Sequence, residues 1–245
     1  MAGSRPLTST EERLLVRRIR KLNARNRALI CAQLFLGFRI SEILALTVGH
    51  VLLNGCIRPR VALPPRLLKG GYGTTRSIPV GPELRRALEH YLRARARREE
   101  LQPDAPLFLS REHGENGAAK PLYRSTAERI IKRALLQICP DPQGLSTHTL
   151  RKSWALRLFY ESVHDLLMVR DGLGHRSVAV TQRYLPVRRA ELDELILKSD
   201  WTRRSAKTSA TISAKRAKPR RSGAKHQSKP TAPAPFLPGL ESFAA

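Results

Sequence analysis

The sequence predicts a mainly α-helical domain with a small antiparallel β-sheet, an α+β fold. Apolar residues recur at helical spacing through most of residues 8–100 and 123–198. Only residues 54–80 combine a turn signal, β-branched residues and a glycine-rich segment. The chain has 245 residues, of which 41% are apolar, so it is long enough to bury one sizeable core.

The first helices are predicted from capping residues and apolar spacing. Residues Thr8–Glu12 supply hydroxyl groups and acids that suit the start of a helix. A second helix runs from about Arg27, Gly37–Ile40 interrupts it, and residues 41–46 resume the helical pattern.

The next segment changes to strand-like sequence. Residues 57–63 look extended, Lys69–Gly73 is a glycine-rich tip, and residues 74–80 return as a second strand. The prediction is an antiparallel hairpin that carries Lys69 near its turn.

The second half is predicted to be almost entirely helical. A charged amphipathic helix from Pro82 to Glu100 leads into a loop, residues 102–122. Further helices are predicted at residues 123–138, 147–162, 164–171, 178–184 and 188–198. Lys, Arg, Ser, Ala, Pro and Thr then dominate. The predicted organisation is an extension (1–7), a folded domain (8–201) and a basic disordered tail (202–245).

The charge of the chain indicates a nucleic-acid partner. Its 45 Lys and Arg residues face 20 acids, a net charge of +25. A phosphodiester backbone rewards this excess by releasing counterions. Ten basic residues and one acid follow Trp201, which leaves about +16 on the preceding residues, so the folded part is basic in its own right. Because ribosomal and nucleoid proteins are also basic, charge indicates the partner and not the activity.

Cysteine usage and the start of the chain predict where the protein works. Cys31, Cys56 and Cys139 are an odd number and are read as reduced thiols, not as a disulfide frame or a metal site. The first residues lack the apolar core of a signal peptide, and no stretch approaches the ~18 apolar residues of a membrane span. We therefore expect a cytoplasmic, nucleoid-associated protein with no membrane partner.

Four residues in the first two thirds of the chain are candidates for chemistry on a phosphodiester, although each has an ordinary explanation. Arg39 interrupts an apolar run, where a guanidinium needs either a structural partner such as Glu42 or a bound phosphate. Lys69 is distinguished only by its glycine-rich tip. His148 and Arg151 are three residues apart, so they share one face of a helix, and a surface pair is the ordinary reading.

Two more candidates follow. His175 comes directly after a glycine that is expected to end a helix, and it could equally be a capping or core histidine. Tyr184 stands nine residues later, and most tyrosines in such a setting only pack with the hydroxyl outward. As a nucleophile, Tyr184 would need nearby cations to stabilise its phenolate form.

Taken together, these residues resemble the tyrosine recombinases, also called the phage integrase family, from about Leu7 to Lys198. The likeness covers Gly37–Leu46 as the first arginine box, Lys69 with Arg76–Val80 as the lysine hairpin, His148–Arg151 as the second box, and Asp165–Tyr184 as the last. The last segment includes the family's nine-residue step from histidine to tyrosine. As a set the match is highly specific, whereas each motif alone is weak.

The resemblance implies a covalent mechanism. Tyr184 would attack the scissile phosphate, form a 3′-phosphotyrosyl bond and release a 5′-hydroxyl. Arg39 and Arg151 would clamp the nonbridging oxygens while charge builds in the transition state. Strand exchange reverses these steps, so no metal and no other cofactor is implied.

The resemblance also implies roles for the remaining candidates and for partners. Lys69 would protonate the leaving oxygen as a general acid. His148 would help to manage the proton of the tyrosine, and His175 would orient the phosphate. The implied partner is double-stranded DNA, bound by a homotetramer that holds two paired DNA sites.

The layout departs from the family in two ways. Relatives usually carry a helical domain ahead of the catalytic domain, but about ten residues precede the first helix here, similar to the fimbrial-switch invertases. An accessory DNA-binding protein, or the basic tail, would then help to grip DNA. Lys152 stands where many relatives have histidine, and we expect little effect on catalysis because it points about 100° away from Arg151 on a helix.

Two other functions remain open at this point. A noncatalytic DNA-binding or architectural protein could keep the fold, and would bind DNA in a salt-sensitive way without cutting it. A type IB topoisomerase-like enzyme would share the phosphotyrosine step but relax DNA of any sequence. The complete set of candidate residues disfavours the first alternative, and the spacing of the boxes disfavours the second.

Overall fold

The structure is a computed structural model that describes residues 4–67, 75–113, 119–139, 141, 143–182 and 184–185. Lys69, the helix predicted at residues 188–198 and the tail 202–245 lie outside the described residues. Among the described residues, no helix is long and apolar enough to cross a membrane.

The described residues form helices joined to short strands, so the predicted mainly α-helical α+β class is confirmed. The helices are α1 (Ser9–Ile19), α2 (Ala24–Leu36), α3 (Ile40–Leu44), α4 (Val48–Val51), α5 (Pro82–Ala96), α6 (Arg124–Leu136), α7 (Thr147–Glu161), α8 (Leu166–Leu173) and α9 (Val178–Gln182). The strands are β1 (Leu52–Leu53), β2 (Cys56–Ile57), β3 (Arg60–Leu63), β4 (Arg76–Pro79), β5 (Leu109–His113) and β6 (Ala119–Pro121).

The predicted antiparallel strands are present, and among the described residues they form separate two-stranded sheets. Described strands pair two by two, as the antiparallel pairs β1–β2, β3–β4 and β5–β6. The prediction of a loop over residues 102–122 is wrong, because β5 and β6 lie within it. Phe108 and Leu122 are buried at the base of this hairpin, and the Leu122 N–H donates to the Phe108 carbonyl at 2.8 Å. Burial of these two side chains therefore aligns two strands whose polar sequences have low β-propensity.

Helix α2 runs through the core and ends beside the candidate site. It is apolar on nearly all sides, as expected of a buried helix, and it packs against α5 and α7. Gly37 ends it in the left-handed conformation, with φ +63°. A Cβ atom at Gly37 would lie 2.4 Å from the Trp154 ring, so both the backbone and the packing require glycine. The break turns the chain and presents Arg39 at the start of α3.

Helices α7 and α8 carry most of the other candidates. Ser146 caps α7 as predicted, because its hydroxyl accepts the His148 N–H at 3.1 Å. Asp165 caps α8, and Gly174 ends α8 with φ +65°, which confirms the glycine stop expected before His175. Helix α9 is shorter than predicted and stops two residues before Tyr184.

Candidate active site

Arg151 is the most deeply buried charged side chain of the candidate site, with 0% of its surface exposed. Its two terminal nitrogens donate to the Gly37 carbonyl and, at 2.9 Å, to the Leu173 carbonyl, which ties α7 to the ends of α2 and α8. Burial, followed by the charges of Arg39 and Arg76, lowers the pKa of Arg151 to about 10. The guanidinium therefore stays charged at neutral pH.

A buried carboxylate, Glu42, balances the arginines. Its oxygens accept the Arg39 guanidinium at 2.8 Å, the Arg39 backbone N–H at 2.7 Å and the Arg76 guanidinium at 2.6 Å. Arg151 stands 3.9 Å away. Burial acts to raise the pKa of Glu42, but the Arg76 charge and these hydrogen bonds outweigh it and hold the pKa below its usual range. Glu42 is thus a permanent anion shared among three cations.

Arg39 differs from Arg151 in its exposure. It forms the structural pair with Glu42 that the sequence allowed, yet 26% of its side chain remains exposed. One terminal nitrogen is committed to Glu42. An exposed guanidinium held by one edge can still bind an oxyanion with its other donors.

His175 is held in a neutral form between two partners. Its Nε2 lies 3.2 Å from an Arg151 nitrogen, and its Nδ1 lies 3.0 Å from the Thr181 hydroxyl. A guanidinium can only donate, so Nε2 accepts and Nδ1 carries the proton. Burial first, and then the charges of Arg151 and Arg39, lower the pKa of His175 to about 4.

His148 lies one turn before Arg151 on α7 and is exposed. Burial of part of its ring, followed by the charges of Arg151 and Arg39, lowers the pKa of His148 below its usual value. A neutral imidazole open to solvent at neutral pH can accept a proton.

Tyr184 lies against Arg151, His175 and Lys152. The Tyr184 ring centroid is 5.0 Å from that of His175, 6.0 Å from the Arg151 guanidinium carbon and 5.8 Å from the Lys152 ammonium. The Lys152 ammonium also donates to the Ser4 carbonyl at 2.5 Å. The expectation that Lys152 points away from the site is therefore wrong, because its long stem reaches back to the tyrosine ring.

Five of the six sequence candidates come together, namely Arg39, His148, Arg151, His175 and Tyr184, while Lys69 lies outside the described residues. Sequence reasoning missed the central role of Glu42, which it treated only as a partner for Arg39. It also missed Arg76, Thr181 and Lys152. A signal existed for Arg76, because it shares a strand face with buried Ile78, where a charged residue needs a partner.

Comparison with known proteins relates the chain to one protein family. The phage integrase family matches residues 5–191. Tyrosine recombinase XerC of Pelobacter propionicus is 29% identical over 185 residues, which are 75% of this chain and 54% of that protein. Tyrosine recombinase XerD of Xanthomonas axonopodis pv. citri is 32% identical over 179 residues, 70% of this chain and 53% of that protein.

Solved structures show the same fold. XerA recombinase superposes with a TM-score of 0.62 at 22% identity, covering 82% of this chain and 66% of XerA. The XerH site-specific recombinase bound to its difH substrate, in a pre-cleavage complex, gives a TM-score of 0.60 at 25% identity, covering 82% and 55%. The chain spans about half the length of the curated relatives it matches. By the extent of these matches, the chain belongs to the phage integrase family.

Proposed function

We propose that this protein is a site-specific DNA recombinase that cuts and rejoins double-stranded DNA through a 3′-phosphotyrosyl intermediate. The observation that carries the proposal is the meeting of a nucleophile, Tyr184, with Arg151 and His175 inside one chain. Membership of the phage integrase family and the identity to XerC and XerD support it. Among the described residues, no contact favours a noncatalytic role.

The proposed reaction exchanges one phosphodiester bond for another. The Tyr184 hydroxyl oxygen attacks the scissile phosphorus, and the bond from phosphorus to the 5′ oxygen breaks. The proton of the tyrosine passes to neutral His148, and the departing 5′ oxygen takes a proton from Lys69. Attack by the free 5′-hydroxyl of a second strand reverses these steps and releases Tyr184.

Arg39 and Arg151 would hold the phosphate from an exposed and a buried side. The exposed part of Arg39 offers donors directly to a nonbridging oxygen. Arg151 now contacts the Nε2 atom of His175 and lies beneath the Tyr184 ring. We infer that the phosphate takes over this contact when Tyr184 moves towards the phosphorus, so that two arginines stabilise the transition-state charge.

The proposal extends to partners and organisation. The XerH structure contains its difH substrate, which supports double-stranded DNA as the partner here. We propose a homotetramer on paired DNA sites, an accessory DNA-binding protein that completes the grip, and association with the nucleoid. Residues 8–201 would form the catalytic domain, and the basic tail, residues 202–245, would bind DNA without sequence preference.

Covalent capture in cells tests the proposal. Wild type, Tyr184→Phe and Tyr160→Phe proteins are recovered under denaturing conditions, and the attached DNA is sequenced. We expect attached DNA with wild type and with the control Tyr160→Phe, and none with Tyr184→Phe, while all three bind DNA under mild conditions. Covalent DNA with no shared sequence would favour a topoisomerase-like activity. Its absence from every protein would support a noncatalytic DNA-binding protein.

A further inference from the structure

Arg76 is a second buried arginine that the reaction described above does not use. It begins strand β4, pairs with Leu63 of β3, and is 6% exposed. A guanidinium in this position is costly unless its charge and its donors are satisfied. Its two terminal nitrogens find acceptors in segments that carry the candidate site, whereas its buried Nε atom has no hydrogen-bond partner among the described residues.

These contacts join three separate parts of the chain. One terminal nitrogen of Arg76 donates to Glu42 at 2.6 Å, and the other donates to the Leu173 carbonyl at 2.6 Å. The guanidinium also lies 4.3 Å from the centre of the Phe38 ring. A Cβ atom at Gly174 would stand only 3.0 Å from the Arg76 nitrogen that donates to Leu173. The glycine that ends α8 therefore also lets Arg76 reach the Leu173 carbonyl.

The acceptors of Arg76 are the ones that hold the candidate catalytic groups. The Leu173 carbonyl also accepts from Arg151 at 2.9 Å, two residues before His175. The Glu42 carboxylate also accepts from Arg39 at 2.8 Å. Arg76 therefore touches the partners of both arginines of the proposed phosphate clamp without being exposed to the phosphate.

We propose that Arg76 is a positioning residue that fixes the Glu42 carboxylate and the Leu173 carbonyl, so that Arg39, Arg151 and His175 stand correctly at the scissile phosphate. This inference rests on the proposed function. A guanidinium suits the role because its planar fork makes two hydrogen bonds in fixed directions, whereas an ammonium is a point charge. Arg76 also leaves the buried cluster with a positive surplus, since three arginines face one glutamate.

If Arg76 acts only by positioning other groups, its loss should slow cleavage much more than it weakens DNA binding. A displacement of about 1 Å in a positioned group costs on the order of 100-fold in rate. Arg76→Met should therefore slow covalent-complex formation about 100-fold at saturating DNA, with DNA affinity within a few-fold of wild type. Arg76→Lys keeps the charge but loses the planar fork of the guanidinium. Its rate of covalent-complex formation should therefore lie between those of wild type and Arg76→Met.

The experiment compares wild type, Arg76→Met, Arg76→Lys and the control Arg60→Met, an exposed arginine at the far end of the same hairpin. Single-turnover covalent-complex formation is measured on a nicked DNA that carries the captured target sequence, together with DNA affinity and the thermal midpoint. Arg60→Met should keep the cleavage rate. Wild-type cleavage by Arg76→Lys, or equal losses of rate and affinity in that variant, would overturn the proposal.

A loss of stability is separated from a loss of positioning by measuring cleavage at a temperature where every variant is folded. If Arg76→Lys regains the wild-type cleavage rate under these conditions, Arg76 serves only stability and the proposal is wrong.

A readout without DNA separates this proposal from the proposed function. The ring nitrogens of His175 are titrated by NMR, where Arg39, Arg76, Arg151 and Glu42 are the charged groups that act on it. Arg76→Lys should shift the His175 ring signals, and Arg60→Met should leave them unchanged. If wild type cuts no DNA but this difference appears, the proposed function fails and the coupling of Arg76 to the site stands. Unchanged His175 signals in Arg76→Lys would overturn the coupling.

Discussion

Helix α7 places two candidate residues one turn apart in opposite surroundings. Arg151 is fully buried and bonded to the carbonyls of Gly37 and Leu173, whereas His148 is exposed and its backbone is held by the Ser146 cap. Glu42 and Arg76 belong with Arg151 in a buried half of the site, and His148 with partly exposed Arg39 in an open half. The buried half is part of the packed core, whereas the open half is accessible to solvent.

The largest expected difference between the halves comes from replacing one side chain in each, Arg151 or His148. Arg151→Met removes the side-chain donor to the Gly37 carbonyl, one of two donors to the Leu173 carbonyl and a cation 3.9 Å from Glu42, so we expect a loss of roughly 3–5 kcal/mol of unfolding free energy. Cleavage should fall about 10³-fold at temperatures where the variant is folded. His148→Ala should slow cleavage by roughly 10²- to 10⁴-fold. Its unfolding free energy should change by less than about 0.5 kcal/mol.

Chemical denaturation and single-turnover cleavage check these values. Arg124→Met is the control, because it removes an exposed positive charge from α6 without touching a buried acceptor. Equal stabilities for Arg151→Met and His148→Ala would show that the division into two halves is wrong.

The glycines beside Trp154 test how closely the buried half depends on packing. A Cβ atom at Gly37 would lie 2.4 Å from the Trp154 ring at a positive φ, and one at Gly172 would lie 2.7 Å from the same ring without that φ. Overpacking costs about 1–3 kcal/mol at either position. The left-handed backbone adds about 1–2 kcal/mol at Gly37. Gly37→Ala should therefore be the less stable, and only it should slow cleavage, since its carbonyl holds Arg151.

Denaturation midpoints and cleavage rates of both alanine variants measure this difference. Gly81→Ala is the control, because nothing lies within 4 Å of an added Cβ atom there. A Gly172→Ala variant that loses as much activity as Gly37→Ala would mean that Trp154, and not the backbone at Gly37, governs the site.

The sequence predicted the locally determined features of the site better than its long-range contacts. Gly37, Gly174 and the Ser146 cap follow local rules of helix ends, and they were predicted where the structure has them. The roles of Glu42 and Arg76 depend on residues 34 positions apart, and no local pattern shows that the two side chains meet. The hairpin of β5 and β6 was missed for the same reason, because distant core contacts align it.

The protonation of His175 should appear in the pH dependence of stability. Its pKa is lowered from 6.5 to about 4 in the folded protein, so between these values the unfolded chain binds the additional proton. Stability that is fully present above pH 6.5 is then lost as the pH falls towards 4. The loss is at most about 3 kcal/mol.

Denaturation midpoints of wild type and His175→Gln between pH 7 and pH 4 measure this contribution. The difference between the two proteins should shrink as the pH falls. Parallel curves for wild type and His175→Gln would show that the imidazole is not held neutral.

Lys152 gives the smallest effect and the finest test, because it stands at the border between the two halves. Its ammonium lies 5.8 Å from the centre of the Tyr184 ring, a contact worth about 0.5–1 kcal/mol at a partly exposed site. Lys152→Met should therefore slow cleavage by about 2- to 5-fold, whereas Lys21→Met, which also removes one exposed charge, should not. Single-turnover rates at two salt concentrations show whether such a change comes from the contact with Tyr184 or from general attraction for DNA. A deficit that persists at high salt belongs to Tyr184. If Lys21→Met slows cleavage equally, Lys152 contributes only general electrostatic attraction for DNA. It would then have the minor role that its position on the helix alone predicts.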